Sequence, residues 1–112
     1  MNETTSIKSV EVLEKILISE IATLLYFNTQ SCNVGESLEP KVRNLLKTRF
    51  PKINFYTVDI NFHPEIAAKY TAFVEPTIIV FFEGKVTIKK SRNIGILELQ
   101  EAIERPYKLI FE

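Results

Sequence analysis

The feature that most constrains the fold is a run from Ile21 to Phe27 that is apolar almost throughout. A short run of this kind, without alternation of polar and apolar residues, is typical of a strand that is covered on both faces. Such a strand lies inside a sheet that has helices packed on either side. The run therefore predicts an α/β fold.

Segments with helical periodicity alternate with further strand-like runs. The predicted helices are Ile7–Leu17, Val34–Phe50, Pro64–Tyr70 and Ile96–Ile103, and the further predicted strands are Phe55–Ile60, Thr77–Phe82 and Lys85–Lys89. A helix between the first two strands favours parallel pairing, whereas Glu83-Gly84 between the last two predicts a hairpin. The order α-β-α-β-α-β-β-α predicts one domain, residues 1–112, with a parallel half and an antiparallel half.

Several residues indicate where the helices begin, bend and end. Ser6 is a candidate N-cap for the first helix, and Pro64 suits the first position of the third. Pro40 is expected to kink the second helix, and Pro106 to stop the last one. The apolar segment 107–111 is expected to pack on its own domain.

Composition and charge exclude several function classes. Of the 112 residues, 46% are hydrophobic, and 14 basic residues balance 14 acidic ones. Binding to nucleic acid normally needs a basic excess, and no apolar segment has the length of a membrane span or the flanks of a signal peptide. The single cysteine cannot form an internal disulfide. We therefore expect a cytoplasmic protein that binds neither nucleic acid nor membrane.

The elements carry motifs that resemble the thioredoxin family in order and spacing. In chain order the matching motifs are Leu24–Phe27, Cys32, Pro40, Val58–Asn61, Pro64–Tyr70, Val74–Thr77 and Phe81–Val86. The resemblance runs from about Ile7 to Ile103. It implies the thioredoxin fold, a mixed central sheet of about four strands with helices on both faces.

The resemblance also implies the site. Cys32 takes the position of the family's nucleophile, and the residues implied to contact substrate are Ser31, Asn33, Val34, Gly35, Glu75 and Pro76. In this family the proline of the second loop is cis and the loop lies against the cysteine. A thiol at the start of a helix meets unpaired N–H groups and the positive end of the dipole, which favours the attacking thiolate.

Departures from the family pattern limit this chemistry. Gly35 replaces the second cysteine of Cys-x-x-Cys, Ser31 replaces a tryptophan, and Tyr26 replaces a buried acid. A glycine usual on the last strand is replaced near 91–93. Without a second thiol, release from a mixed disulfide needs glutathione or a thiol of the partner. Glu75 opposes thiolate formation and favours neutral or cationic partners, unless it points to solvent.

Two functions are consistent with these residues. The first is monothiol thiol–disulfide exchange through Cys32 on protein thiols or disulfides, in cell redox homeostasis, with glutathione as the candidate resolving thiol and no other cofactor. The alternative is a redox-inactive module that binds a protein partner in the groove around Cys32 and Pro76. A glutaredoxin-like monothiol enzyme has less support, because no Gly-Gly pair follows the last strands. The oligomeric state stays open.

Three other polar residues have structural interpretations. We expect His63 to be a solvated turn residue, Asp59 to serve a turn or a helix cap, and Tyr26 to belong to the core. No second histidine or further cysteine accompanies His63, so no zinc site is expected.

Overall fold

The apolar run after Glu20 forms the strand around which the protein is built. The computed structural model describes residues 6–29 and 33–112, with side chains for 6–29 and 36–112. The elements in chain order are α1 Val10–Ser19, β1 Ala22–Asn28, α2 Asn33–Arg49, β2 Asn54–Asp59, α3 Pro64–Tyr70, β3 Thr77–Phe82, β4 Lys85–Ser91 and α4 Ile96–Phe111. This is the predicted order of helices and strands.

The four strands form one mixed sheet in the order β2-β1-β3-β4. β1 pairs with β2 in parallel, whereas the pairs β1–β3 and β3–β4 are antiparallel. The predicted parallel and antiparallel halves are thus confirmed, and β1 joins them.

Alternate residues of β1 enter two separate cores, one on each face of the sheet. Leu24 and Tyr26 pack with residues of α2 and α4, and Leu25 and Phe27 pack with residues of α1 and α3. All four side chains are 0% exposed. Burial on both faces explains why the run shows no polar alternation, and it confirms the α/β fold with helices on both faces.

The N-cap of α1 is Ser9, so the prediction that Ser6 caps this helix is wrong. The Ser9 side chain accepts a hydrogen bond from the Val12 N–H at 3.1 Å. Ser6 instead forms a β-bridge with Thr57, and the Ile7 N–H donates to the Thr57 carbonyl at 2.8 Å. Because the backbone of Ser6 and Ile7 pairs with the edge strand β2, the helix begins later, at Val10. Pro64 does occupy the first turn of α3, as predicted.

α4 continues through Pro106 to Phe111, so the prediction that Pro106 stops the helix is wrong. Proline lacks an N–H and crowds the preceding turn, but the residues after it are fixed by tertiary packing. Tyr107 is 8% exposed, and its ring centroid lies 5.0 Å from that of Phe50 and 4.8 Å from that of Phe111. The segment 107–111 packs on its own domain, as expected.

The predicted hairpin is present between β3 and β4. Glu83 and Gly84 have φ of 55° and 79°, the left-handed pair that matches the twist of a two-residue hairpin. The Glu83 N–H donates to the Ile21 carbonyl at 2.6 Å, which fixes the hairpin against the start of β1. Among the described residues, no helix is both long and apolar enough to cross a bilayer.

Candidate active site

The start of α2 and the loop before β3 carry the predicted site residues that the structure describes. β1 ends at Asn28 and α2 begins at Asn33, so Cys32 directly precedes a helix of 17 residues. Asn33, Val34 and Gly35 are the first three residues of that helix. Ser31 and Cys32 themselves lie outside the described residues.

The Pro76 loop lies at the same end of the sheet. Phe27 pairs with Thr77 in the antiparallel register, which places Pro76 beside the point where the chain leaves β1 toward Cys32. The peptide bond between Glu75 and Pro76 is cis, and Pro76 is buried. The fold therefore brings together two loops that are more than forty residues apart in the sequence.

A hydrogen bond joins these two loops directly. The Thr29 hydroxyl donates to Oε1 of Glu75 at 2.6 Å. Thr29 is 4% exposed and Glu75 is half-buried. The Glu75 carboxylate is thus held by the residue that follows β1 instead of pointing freely into solvent. Sequence reasoning missed Thr29, whose only signal was a polar residue at the end of an apolar strand.

The other side of the Pro76 loop is fixed by the end of β4. The Arg92 N–H donates to the Pro76 carbonyl at 2.9 Å, and the Thr77 hydroxyl lies 3.1 Å from that of Ser91. Arg92 has φ of 65°, a conformation that favours glycine. Among residues 91–93 only Arg92 has a positive φ, so a glycine would be favoured at that position.

Three other residues have the structural roles that were expected of them, with one difference. Tyr26 is in the core with its ring centroid 5.9 Å from that of Phe55. Oδ1 of Asp59 accepts from the N–H groups of Asn61 and Phe62 at 2.9 and 3.2 Å, which confirms a turn role. His63 precedes α3, but its side chain is only 19% exposed, so it is less solvated than expected.

No metal centre adjoins these loops in the described part of the chain. There, no three histidine, cysteine, aspartate or glutamate side chains come close enough together to hold an ion.

Comparison with known proteins identifies the family. The thioredoxin family model matches residues 4–105. The chain belongs to the thioredoxin family. It is 23% identical over 109 residues to the thioredoxin-like protein YdfQ of Bacillus subtilis (strain 168), covering 97% of this chain and 96% of that protein. It is 28% identical over 100 residues to thioredoxin of Mycoplasma genitalium, covering 89% and 94%.

Solved structures of the thioredoxin family share the fold. The crystal structure of thioredoxin from Trypanosoma brucei brucei superposes with a TM-score of 0.82 at 24% identity, covering 95% of this chain and 92% of that one. The segment that leads into α2 reads Cys32-Asn33-Val34-Gly35 and contains one sulfur. The chain thus keeps the thioredoxin architecture around a motif with one sulfur.

Proposed function

We propose that this thioredoxin-family member carries out thiol–disulfide exchange with Cys32 as its single attacking thiol. The observation that carries the proposal is the start of α2 at Asn33, the residue after Cys32. The first N–H groups of a helix have no partner within it, and the dipole adds positive potential there. Both favour the thiolate over the thiol, and the thiolate is the form that attacks a disulfide.

The exchange would proceed in one balanced step. The Cys32 thiolate attacks one sulfur of a partner disulfide, a new S–S bond forms, and the other partner sulfur leaves as a thiolate. In a dithiol thioredoxin the second cysteine of the motif would then attack. Gly35 has no sulfur, so the mixed disulfide lasts until glutathione or another thiol displaces Cys32. The protein would therefore capture partners or exchange thiols with glutathione instead of completing reduction alone.

The Pro76 loop supports the proposal as the surface for the partner chain. The hydrogen bonds from Thr29 to Glu75 and from Arg92 to Pro76 fix this loop from both sides. A fixed loop beside the nucleophile lowers the ordering cost of binding an extended segment. A single cysteine also fits a reducing compartment such as the cytoplasm, and that location stays a prediction.

The proposal is tested by the pH dependence of alkylation by iodoacetamide. Cys32 is the only cysteine, so intact mass reports a single site. We expect the rate to rise with a midpoint below the ordinary thiol pKa of about 8.5. The same chain unfolded in guanidinium chloride is the matched control, because its thiol has lost the helix. Equal midpoints for the folded and unfolded chains would contradict the proposal.

A second candidate function is a redox-inactive binding module that uses the same groove around Cys32 and Pro76. The observation in its favour is that the two loops are joined through Thr29 and Glu75, a contact that needs no sulfur. This function predicts that Cys32→Ser retains its partners in pull-downs under reducing conditions. Partners that are captured only by the wild type, and only without reductant, would instead support exchange.

A further inference from the structure

One side of α2 carries a groove with an unusual distribution of charge. The groove is formed by α2 and the segment that leads into α4, and it has two adjoining parts of about 380 and 620 Å³. Both parts are lined by Leu38, Lys41, Ile94 and Gly95. Arg92 lines the part nearer the Pro76 loop, and Arg49 lines the farther part. No acidic residue lines either part.

The three cations of this groove are exposed and have no ion-pair partner among the described residues. The opposite side of α2 differs, since Glu36 and Glu39 lie there and Arg43 pairs with Glu39 at 3.1 Å. Glu98, in the first turn of α4, lies beside Gly95 at the edge of the groove, where it pairs with Lys90 at 3.8 Å. Although the whole chain has no net charge, α2 thus separates an acidic side from a side with unpaired positive charge.

The groove runs from the Pro76 loop along α2. Arg92 donates its backbone N–H to Pro76, and Lys41 lies eight residues after the start of α2, about 12 Å along the helix. Arg49 lies about 12 Å beyond Lys41. An extended chain advances about 3.3 Å per residue, so a segment that leaves Cys32 reaches Lys41 after about three or four residues.

We propose that this groove binds an acidic segment of the partner protein and thereby selects disulfides with Asp or Glu about three or four residues from the reactive cysteine. The proposal rests on the exchange function of Cys32. Charge complementarity with Lys41 and Arg92 argues for an acidic occupant, and the length of the groove argues for a peptide segment. In glutathione the carboxylates lie within one residue of the sulfur-bearing residue, too close to it to reach Lys41. The Glu75 carboxylate on the Pro76 loop repels an acid at that end of the groove, so the acidic positions lie farther along the segment.

The test uses short peptides whose central cysteine is disulfide-bonded to 5-thio-2-nitrobenzoate. In one peptide Asp occupies the third and fourth positions on both sides of the cysteine, and in its matched peptide Asn does. When the Cys32 thiolate attacks the peptide sulfur, the new S–S bond forms and the coloured nitrothiobenzoate thiolate leaves, so absorbance gives the rate. We expect the Asp peptide to react about fivefold faster at low ionic strength, since each exposed charge pair contributes modestly.

The advantage of the Asp peptide should disappear in the Lys41→Gln/Arg92→Gln double variant. Lys47→Gln is the matched control, because Lys47 is an exposed lysine on the same helix outside the groove. Equal rates for the two peptides with the wild type would overturn the proposal, and so would an equal loss in the Lys47→Gln control. If the double variant slows the reaction with oxidised glutathione as much as with the Asp peptide, the claim that the groove requires an acidic segment longer than glutathione is refuted.

A binding measurement separates this proposal from the exchange function. Fluorescence anisotropy measures how Cys32→Ser binds the labelled Asp and Asn peptides with serine in place of cysteine. Binding of the Asp peptide that depends on Lys41 and Arg92 supports the groove even if Cys32 forms no mixed disulfide. If both peptides react at the same rate and neither binds selectively, the exchange function of Cys32 is retained and the binding of acidic segments in the groove is refuted.

Discussion

The packing of Tyr107 is what we expect to hold the last turns of α4 after Pro106. Tyr107 is 8% exposed, its ring contacts those of Phe50 and Phe111, and its hydroxyl accepts from the Lys52 N–H at 3.1 Å. Replacing Tyr107 by alanine removes the buried ring, both aromatic contacts and the hydrogen bond. The perturbation therefore tests whether packing overrides the helix-breaking tendency of proline.

The expected loss is about 3 kcal/mol of unfolding free energy for Tyr107→Ala. Truncation of a buried aromatic residue costs about 3–5 kcal/mol, and the lower end applies because the end of the helix can relax into the space. Tyr107→Phe keeps the ring and loses only the bond from Lys52, which costs about 1 kcal/mol because water reaches the exposed Lys52. Leu109→Ala, at a side chain that is 74% exposed, is the matched control and should change stability by less than about 0.5 kcal/mol.

Urea unfolding followed by far-UV circular dichroism measures these differences, since the chain has no tryptophan. The helical signal of native Tyr107→Ala should also fall, because the turns after Pro106 lose their contact with the core. A loss for Tyr107→Ala no larger than that for Leu109→Ala would refute the reasoning.

Three further predictions concern pH, backbone strain and the site. Burial and the nearby Glu20 carboxylate, 2.6 Å away, raise the pKa of Tyr56 from 10.0 to about 12. The protonated phenol therefore contributes to the free energy of unfolding below pH 10, and this contribution is lost as the pH rises toward 12. Urea titrations at alkaline pH should show a loss of about 1 kcal/mol after allowance for solvent screening. Thr71→Gly should raise the unfolding free energy by about 1 kcal/mol in urea, because Thr71 has φ of 53°. Glu75→Gln should lower the pKa of the Cys32 thiol by less than about one unit in the alkylation assay, because it removes a like charge.

Each of the three has a matched comparison. Tyr56→Phe should reduce the loss above pH 10, and the Tyr70 phenol, whose pKa burial also raises, should account for part of what remains. An unchanged loss in that variant would assign the effect to other groups. Lys47→Gly, at an exposed position inside α2, should destabilise the chain by about 1 kcal/mol, so a gain there as well would contradict strain as the cause at Thr71. Thr29→Val removes the hydroxyl that orients Glu75 but keeps the charge. If it alters the thiol pKa as much as Glu75→Gln does, orientation and not charge is responsible.

The order of the elements and the family could both be predicted from the amino-acid sequence alone. The run from Ile21 to Phe27 has no polar alternation because alternate side chains enter two cores, and this constraint acts on every residue of the strand. The periodicity of apolar residues and the positions of turn residues also predicted α3 and β3 with their observed bounds, Pro64–Tyr70 and Thr77–Phe82. The position of Cys32 before a helix follows from the same periodicity.

The ends of the elements and the surroundings of the site depend instead on contacts between distant parts of the chain. Ser6 loses the cap to Ser9 because the backbone beside it pairs with Thr57, and α4 passes Pro106 because Tyr107 is held by the core. The bond from Thr29 to Glu75 joins residues 46 positions apart, and the groove with Lys41 and Arg92 joins α2 to the end of β4. Local propensity cannot determine such contacts, because they depend on which distant segments the packed sheet brings together.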